Sequence, residues 1–249
     1  MSLTKISLLS TVKKQYCYKL KAYVQVFMTL VFLQLLAILF TLNGVGMAGS
    51  SSEWVEVDVH YYSADIVVFF TMMWGFITAI LITTKAYRND DFAFITNRLS
   101  SNLSNLLFLL TASIIGGLTA LLSTYLIKVI VYFFVGQLTI DSTNVVSAPV
   151  ELLLGIVAAT FYIILFSALG YFVGTLVQIH KAFVVLVPAL FFGSLFLGAV
   201  SGYEKTVTNI LGFIFTEPSI LLFIFKIIVV AGMLFSGAFV ISNRLEVKQ

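Results

Sequence analysis

Six stretches of this chain, at about residues 23–43, 64–84, 105–127, 149–176, 182–200 and 219–242, run with almost no charged side chain. A helix that crosses the hydrocarbon core of a bilayer needs roughly 20 consecutive apolar residues, and each stretch meets that length. No aqueous core could absorb them together: 60% of the 249 residues are hydrophobic and only 10% are charged, against about 25% charge in soluble domains. The apolar character is continuous around each stretch, which favours helices over the alternating pattern of a membrane barrel. The expected fold class is therefore an all-α polytopic membrane protein with six transmembrane helices, forming a single membrane domain over 1–249. The third run extends toward Val135, because VIVYFFV continues beyond Lys128.

The positions of lysine and arginine orient the bundle. With both termini cytoplasmic, the inside holds Lys5, Lys13, Lys14, Lys19, Lys21, Lys85, Arg88, Arg98, Lys181, Arg244 and Lys248, which is 11 of the 14 basic residues. Lys128, Lys205 and Lys226 fall outside or in the outer half. Acidic residues show the reverse bias, with Glu53, Glu56, Asp58 and Asp65 crowding the first outer loop. Gly46-Met47-Ala48 would suit a signal-peptide cleavage site, but the polar leader and the apolar run are both too long for one. The first run reads as a retained span. Cys17 is the only cysteine, so no intrachain disulfide framework exists.

Two cytoplasmic segments carry pattern. In the first 22 residues, Ile6, Leu9, Val12, Tyr16 and Leu20 recur at helical spacing, with Lys13, Lys14, Lys19 and Lys21 around them. This predicts an amphipathic interfacial helix on the anionic leaflet. The loop at 85–102 mixes Asp90, Asp91 and Arg98 with Phe92, Phe94, Ile95 and Leu99. On a helix, Asp91, Ile95 and Leu99 share a stripe, and Asp90 or Asp91 would cap its start. Such a helix either fills a groove on another protein or dips its phenylalanines into headgroups. Composition alone leaves both open.

The order of spans, and RNDDFAFITNRLSSNLSNLLF after the second, resembles the permease subunits of bacterial ABC-2 type transporters. In that family an aromatic–short apolar–Ser/Asn–Arg pattern marks a coupling helix, matched here by Phe94-Ile95-Thr96-Asn97-Arg98. The resemblance implies that Asp90, Asp91, Phe92, Phe94, Ile95, Asn97 and Arg98 dock on a separate ATP-binding cassette subunit. It also implies a second permease subunit, identical or related, and the cytoplasmic membrane of a bacterium. The N-terminal helix, with Lys13, Lys14 and Tyr16, would lie beside the ATPase, and 202–218 would form a short re-entrant segment capping the outer face. ATP and Mg²⁺ would sit on the partner, with no cofactor on this chain. An amphipathic or apolar cargo, first an antimicrobial or toxic peptide, is the substrate class the resemblance suggests.

The remaining residues admit narrower expectations. Gly116 with Ala120, Gly155 with Ala159, Gly170 with Gly174 and Gly232 with Ser236 are small pairs that let helices approach, and Pro188 interrupts span five. Lys226 lies about 12 Å into span six, where it lines a path, snorkels outward, or pairs with Glu151 or Glu217. Glu151 follows Pro149 in the first turn of span four, and Lys128 can snorkel outward. The chain has no phosphate-binding Gly-rich loop, no His-Glu-x-x-His and no Gly-x-Ser-x-Gly, and His60 and His180 fall on opposite sides. These features point away from an enzyme, a metal centre or a nucleic-acid binder. The rival readings are a membrane sensor or assembly subunit using the same cytoplasmic helix, and an ATP-independent carrier.

Overall fold

A computed structural model describes residues 7–42, 46–52, 55–84, 86–87, 98–135, 149–200, 212 and 217–244. Helix α1 (Leu8–Ala22) starts at Ser7, whose hydroxyl accepts from the Ser10 amide. This satisfies one of the free N–H groups of the first turn. Tyr23, at φ −102° and ψ 32°, breaks α1 from α2 (Val24–Thr41). Then come strands β1 (Gly46–Ser52) and β2 (Val55–Tyr61), α3 (Asp65–Thr83), α4 (Arg98–Ile130), α5 (Pro149–Ile179), α6 (Phe183–Val200) and α7 (Ile220–Arg244). A π-helical turn, Val131–Val135, prolongs α4.

In hydrocarbon, helices are favoured because every backbone polar group must be satisfied within its own segment. Five of these helices are long and apolar enough to span a membrane: Val24–Thr41, Asp65–Thr83, Arg98–Phe134, Pro149–Ile179 and Ile220–Ser242. The protein thus has the fold of a helical, multi-pass membrane protein. The five coincide with expected spans one, two, three, four and six. The apolar α6 lies where the fifth was expected and is not among the five. The antiparallel hairpin, paired from Gly46 with Tyr61 to Ser52 with Val55, was not foreseen. Its second strand, VEVDVHY, alternates apolar and polar residues with the period of two that a strand requires. The expected segment at 202–218 lies outside the described residues apart from Gly212, Glu217 and Pro218.

Helix α5 is central and packs against α3, α4 and α7, while α2 leans on α3 and α4, and α6 lies against α5. Small residues set these distances. A Cβ added at Gly170 would fall on the carbonyl oxygen of Phe76, and one at Gly75 would lie 2.8 Å from Ser167 Oγ. Gly174 meets Thr83 and Ile80, Gly117 meets Thr160, and Gly116 meets Thr71. The pairs on α4 and α5 are thus used inside the protomer, whereas nothing lies within 4 Å of a Cβ built at Gly232.

The two ends of the bundle differ in charge. Lys13, Lys14, Lys19, Lys21, Arg98 and Lys181 are gathered at the end where α1 and the start of α4 lie. Asp65, Glu151 and Glu217, with Lys128 and Lys226, belong to the opposite end, where α3, α5 and α7 begin. We call these the basic and acidic ends.

Candidate functional site: the polar junction at the basic end

Helix α4 has 33 residues, about 50 Å at 1.5 Å per residue, against a hydrocarbon core of about 30 Å. Its first turns, RLSSNLSN, are the polar excess. They start at Arg98, so residues 98–102, expected as loop, are already α4. Ser100, Asn102, Ser104 and Asn105 are buried there.

These side chains bind three other helices. The Lys19 ammonium of α1, only 1% exposed, donates to Ser104 Oγ at 2.8 Å and to Asn105 Oδ1. Asn105 Nδ2 donates to the Tyr171 hydroxyl of α5 at 3.4 Å, and that hydroxyl donates to Asn102 Oδ1 at 3.0 Å. From α7, Ser242 Oγ donates to the same Asn102 oxygen at 3.5 Å. The Arg98 guanidinium donates to the Ser242 carbonyl at 2.8 Å, near the negative end of the α7 dipole. Four elements therefore meet in one hydrogen-bonded cluster. Away from water such bonds are hard to replace, and leaving a buried partner unsatisfied costs about 1–3 kcal/mol.

Apolar contacts back the junction. Tyr23 stacks edge-on against Tyr87 and Phe108, with centroids 4.8 and 5.9 Å away. Tyr171 contacts Phe235 and Phe239. Gln178 near the end of α5 donates to the Thr83 carbonyl at the end of α3.

The expected site residues divide as follows. Asp90, Asp91, Phe92, Phe94, Ile95 and Asn97 lie outside the described residues. Arg98 is half-buried in the junction. Lys13 and Lys14 are exposed on α1 and Tyr16 is half-buried. Lys19, expected among the surface charges of that helix, is instead buried against α4, because α1 packs on the bundle through Val12, Gln15 and Lys19. Leu9, expected on the apolar face, is 81% exposed. At the acidic end Lys226 forms an ion pair with Glu217, the helix start reaching back over its own first turns, and Glu151 stands exposed on α5. Lys128 sits 5.8 Å from the centre of the Tyr125 ring.

Sequence reading missed Asn102, Asn105, Tyr171 and Gln34. The signal was present for the asparagines, since two amides three residues apart at the edge of an apolar run share a helix face. Gln34 of α2 donates to Thr71 Oγ1 at 3.2 Å and Thr119 Oγ1 at 3.0 Å, joining α2, α3 and α4 inside the bundle. An open cavity of about 300 Å³ at the acidic end is lined by Asp65, Val68, Phe69, Met72, Leu121, Gly155 and Ala159. No group of three metal-ligating side chains occurs among the described residues. Comparison with protein-family models, curated proteins and solved structures finds no match.

Proposed function

We propose that the chain is the six-span membrane subunit of an ATP-driven exporter of the ABC-2 type, with the basic end cytoplasmic and a separate ATP-binding cassette subunit docked on residues 88–98. One observation carries this reading: Arg98, at the edge of the segment proposed to dock, is also the first residue of α4 and is bonded to the end of α7. A push on 88–97 would act on α4 at the point where α1, α5 and α7 are tied to it. ATP and Mg²⁺ belong to the partner. This chain supplies a stiff lever, α4, and bonds that make α4, α5 and α7 answer together. The shift requires the partner to hold the permease differently in its two nucleotide states. An apolar or amphipathic cargo, with an antimicrobial peptide first, suits a bundle whose sequence holds 24 Phe and 11 Tyr.

Vesicle transport tests the reading. The chain would be reconstituted with the candidate ATP-binding subunit and loaded with a fluorescent cationic peptide. ATP-dependent movement of the peptide that needs both subunits is expected. Equal movement without the ATP-binding subunit would favour the ATP-independent carrier, and none at all in an intact complex would favour a sensor.

A further inference from the structure

The stripe by which α1 meets the bundle is unusual for an amphipathic helix. Its buried residues are Val12, Gln15 and Lys19, so two of the three are polar. Gln15 is 1% exposed, and neither its side-chain nitrogen nor its oxygen has a hydrogen-bond partner among the described residues. Four residues on, Lys19 keeps an ammonium away from water, held by Ser104 and Asn105. Dehydrating an amide without a partner and burying an ammonium both oppose docking. Val12, Tyr16 and Leu20 favour it through apolar contact, as do the bonds of Lys19. Docking of α1 is thus a balance of opposed terms, unlike the packing of α3 on α5.

The surroundings give α1 somewhere else to go. It joins α2 through one non-helical residue, Tyr23, which is itself anchored on Tyr87 and Phe108. Swinging α1 about that residue leaves α2 intact. Its outer face carries Lys13, Lys14 and Lys21, all exposed. Release would add Lys19 to these and give Gln15 water. Each lysine brought near an anionic leaflet favours binding by about fivefold.

We propose that α1 is a releasable arm, exchanging between the docked position on α4 and a position flat on anionic phospholipid headgroups, with lipid charge setting the balance. The proposal rests on the reading of the chain as membrane-embedded with α1 at the surface. It involves neither ATPase nor cargo, so its test and that of the exporter reading fail separately.

Cys17, exposed on α1 and the chain's only cysteine, supplies the probe. Spin labels at Cys17 and at Lys181→Cys, in the full chain in lipid nanodiscs, report the distance from α1 to the α5–α6 turn. Phosphatidylcholine alone should give mainly one narrow docked population. Adding phosphatidylglycerol should raise a second, broader population at least about fivefold, the contribution of Lys19 alone. Gln15→Leu, which removes the unsatisfied amide, should reduce that second population about tenfold in either lipid. Asn105→Leu, which takes an acceptor from Lys19, should enlarge it, with a retained cooperative melting transition of the chain as the folding control. A single population in both lipids, or a Gln15→Leu variant with an undiminished second population, would overturn the proposal.

Discussion

At the scale of single residues, glycines and paired charges give the sharpest expectations. Gly170→Ala would drive a methyl into the backbone of α3 at Phe76. Backbone yields less than a side-chain tip, so a loss at the upper end of the overpacking range, about 3 kcal/mol, is expected in reversible unfolding from detergent. Gly232→Ala meets nothing and should leave stability unchanged or raise it by about 0.5 kcal/mol through helix propensity. Sequence offered both glycines equally as members of small pairs. Spacing shows that a residue could admit a neighbour, but only the arrangement of helices decides whether a neighbour comes. Lys226 illustrates the same limit. Its burial depth and two candidate partners were legible, and the choice of Glu217 was not, because it depends on how the chain before α7 folds back. Lys226→Leu should cost about 1–3 kcal/mol by stranding Glu217, and Glu217→Gln in the same chain should recover most of it. A double-mutant cycle with coupling near zero would show that the pair contributes nothing.

Elements were more legible than contacts. The ends of α2, α3, α5, α6 and α7 fall within a few residues of the apolar runs, since hydrophobic length is fixed by the solvent rather than by neighbours. Departures occur where polar residues are helical. Arg98–Ile130 includes two polar turns before its apolar run, because α1 and α7 supply partners that water would otherwise supply. The hairpin escaped notice because two seven-residue strands carry too little signal beside runs of twenty. Helix α1 shows a different failure. Its period was right, but its face was assigned by hydrophobicity, whereas α4 offers Ser104 and Asn105 and so draws in Lys19. At this scale α2 provides the test. Few of its residues are buried, and Gln34 ties it to α3 and α4 beside a second bond, from Trp74 of α3 to Thr29. Gln34→Leu keeps the volume and removes the tie, so it should destabilise by about 0.6–1.7 kcal/mol, the range of interhelical bonds in membranes. Proteolysis in the 43–63 connection should then start at lower denaturant than in the parent.

For the whole molecule, charge asymmetry links the helical bundle to function. Basic side chains cluster where α1, α4, α5 and α7 are bonded together, and acidic ones mark the other end. The proposed orientation, by the positive-inside rule, puts the junction on the cytoplasmic side. Labelling of Lys181→Cys in a Cys17→Ser chain should require permeabilised cells, while Glu151→Cys should react from outside; the opposite pattern would reverse the orientation and remove the coupling argument. What composition could not reveal is how a signal entering at 88–97 would be shared among helices. In the proposed reading the junction would share it, since Arg98 bonds to Ser242 and Asn102 bonds to both Tyr171 and Ser242. The bonds of α4 with α5 and α7 resist separation, so in the proposed reading these three helices should move as one body when the partner pulls.

The most direct test is purification of the chain from its native membrane, with ATP hydrolysis measured on what remains bound. A stoichiometric ATP-binding cassette subunit and Mg²⁺-dependent hydrolysis are expected. Phe92→Ala/Phe94→Ala should lose the subunit with no change in yield of the chain, each anchor contributing about 2 kcal/mol as interface aromatics do. A chain that purifies without any ATP-binding subunit, or a double variant that keeps it in full, would contradict the account.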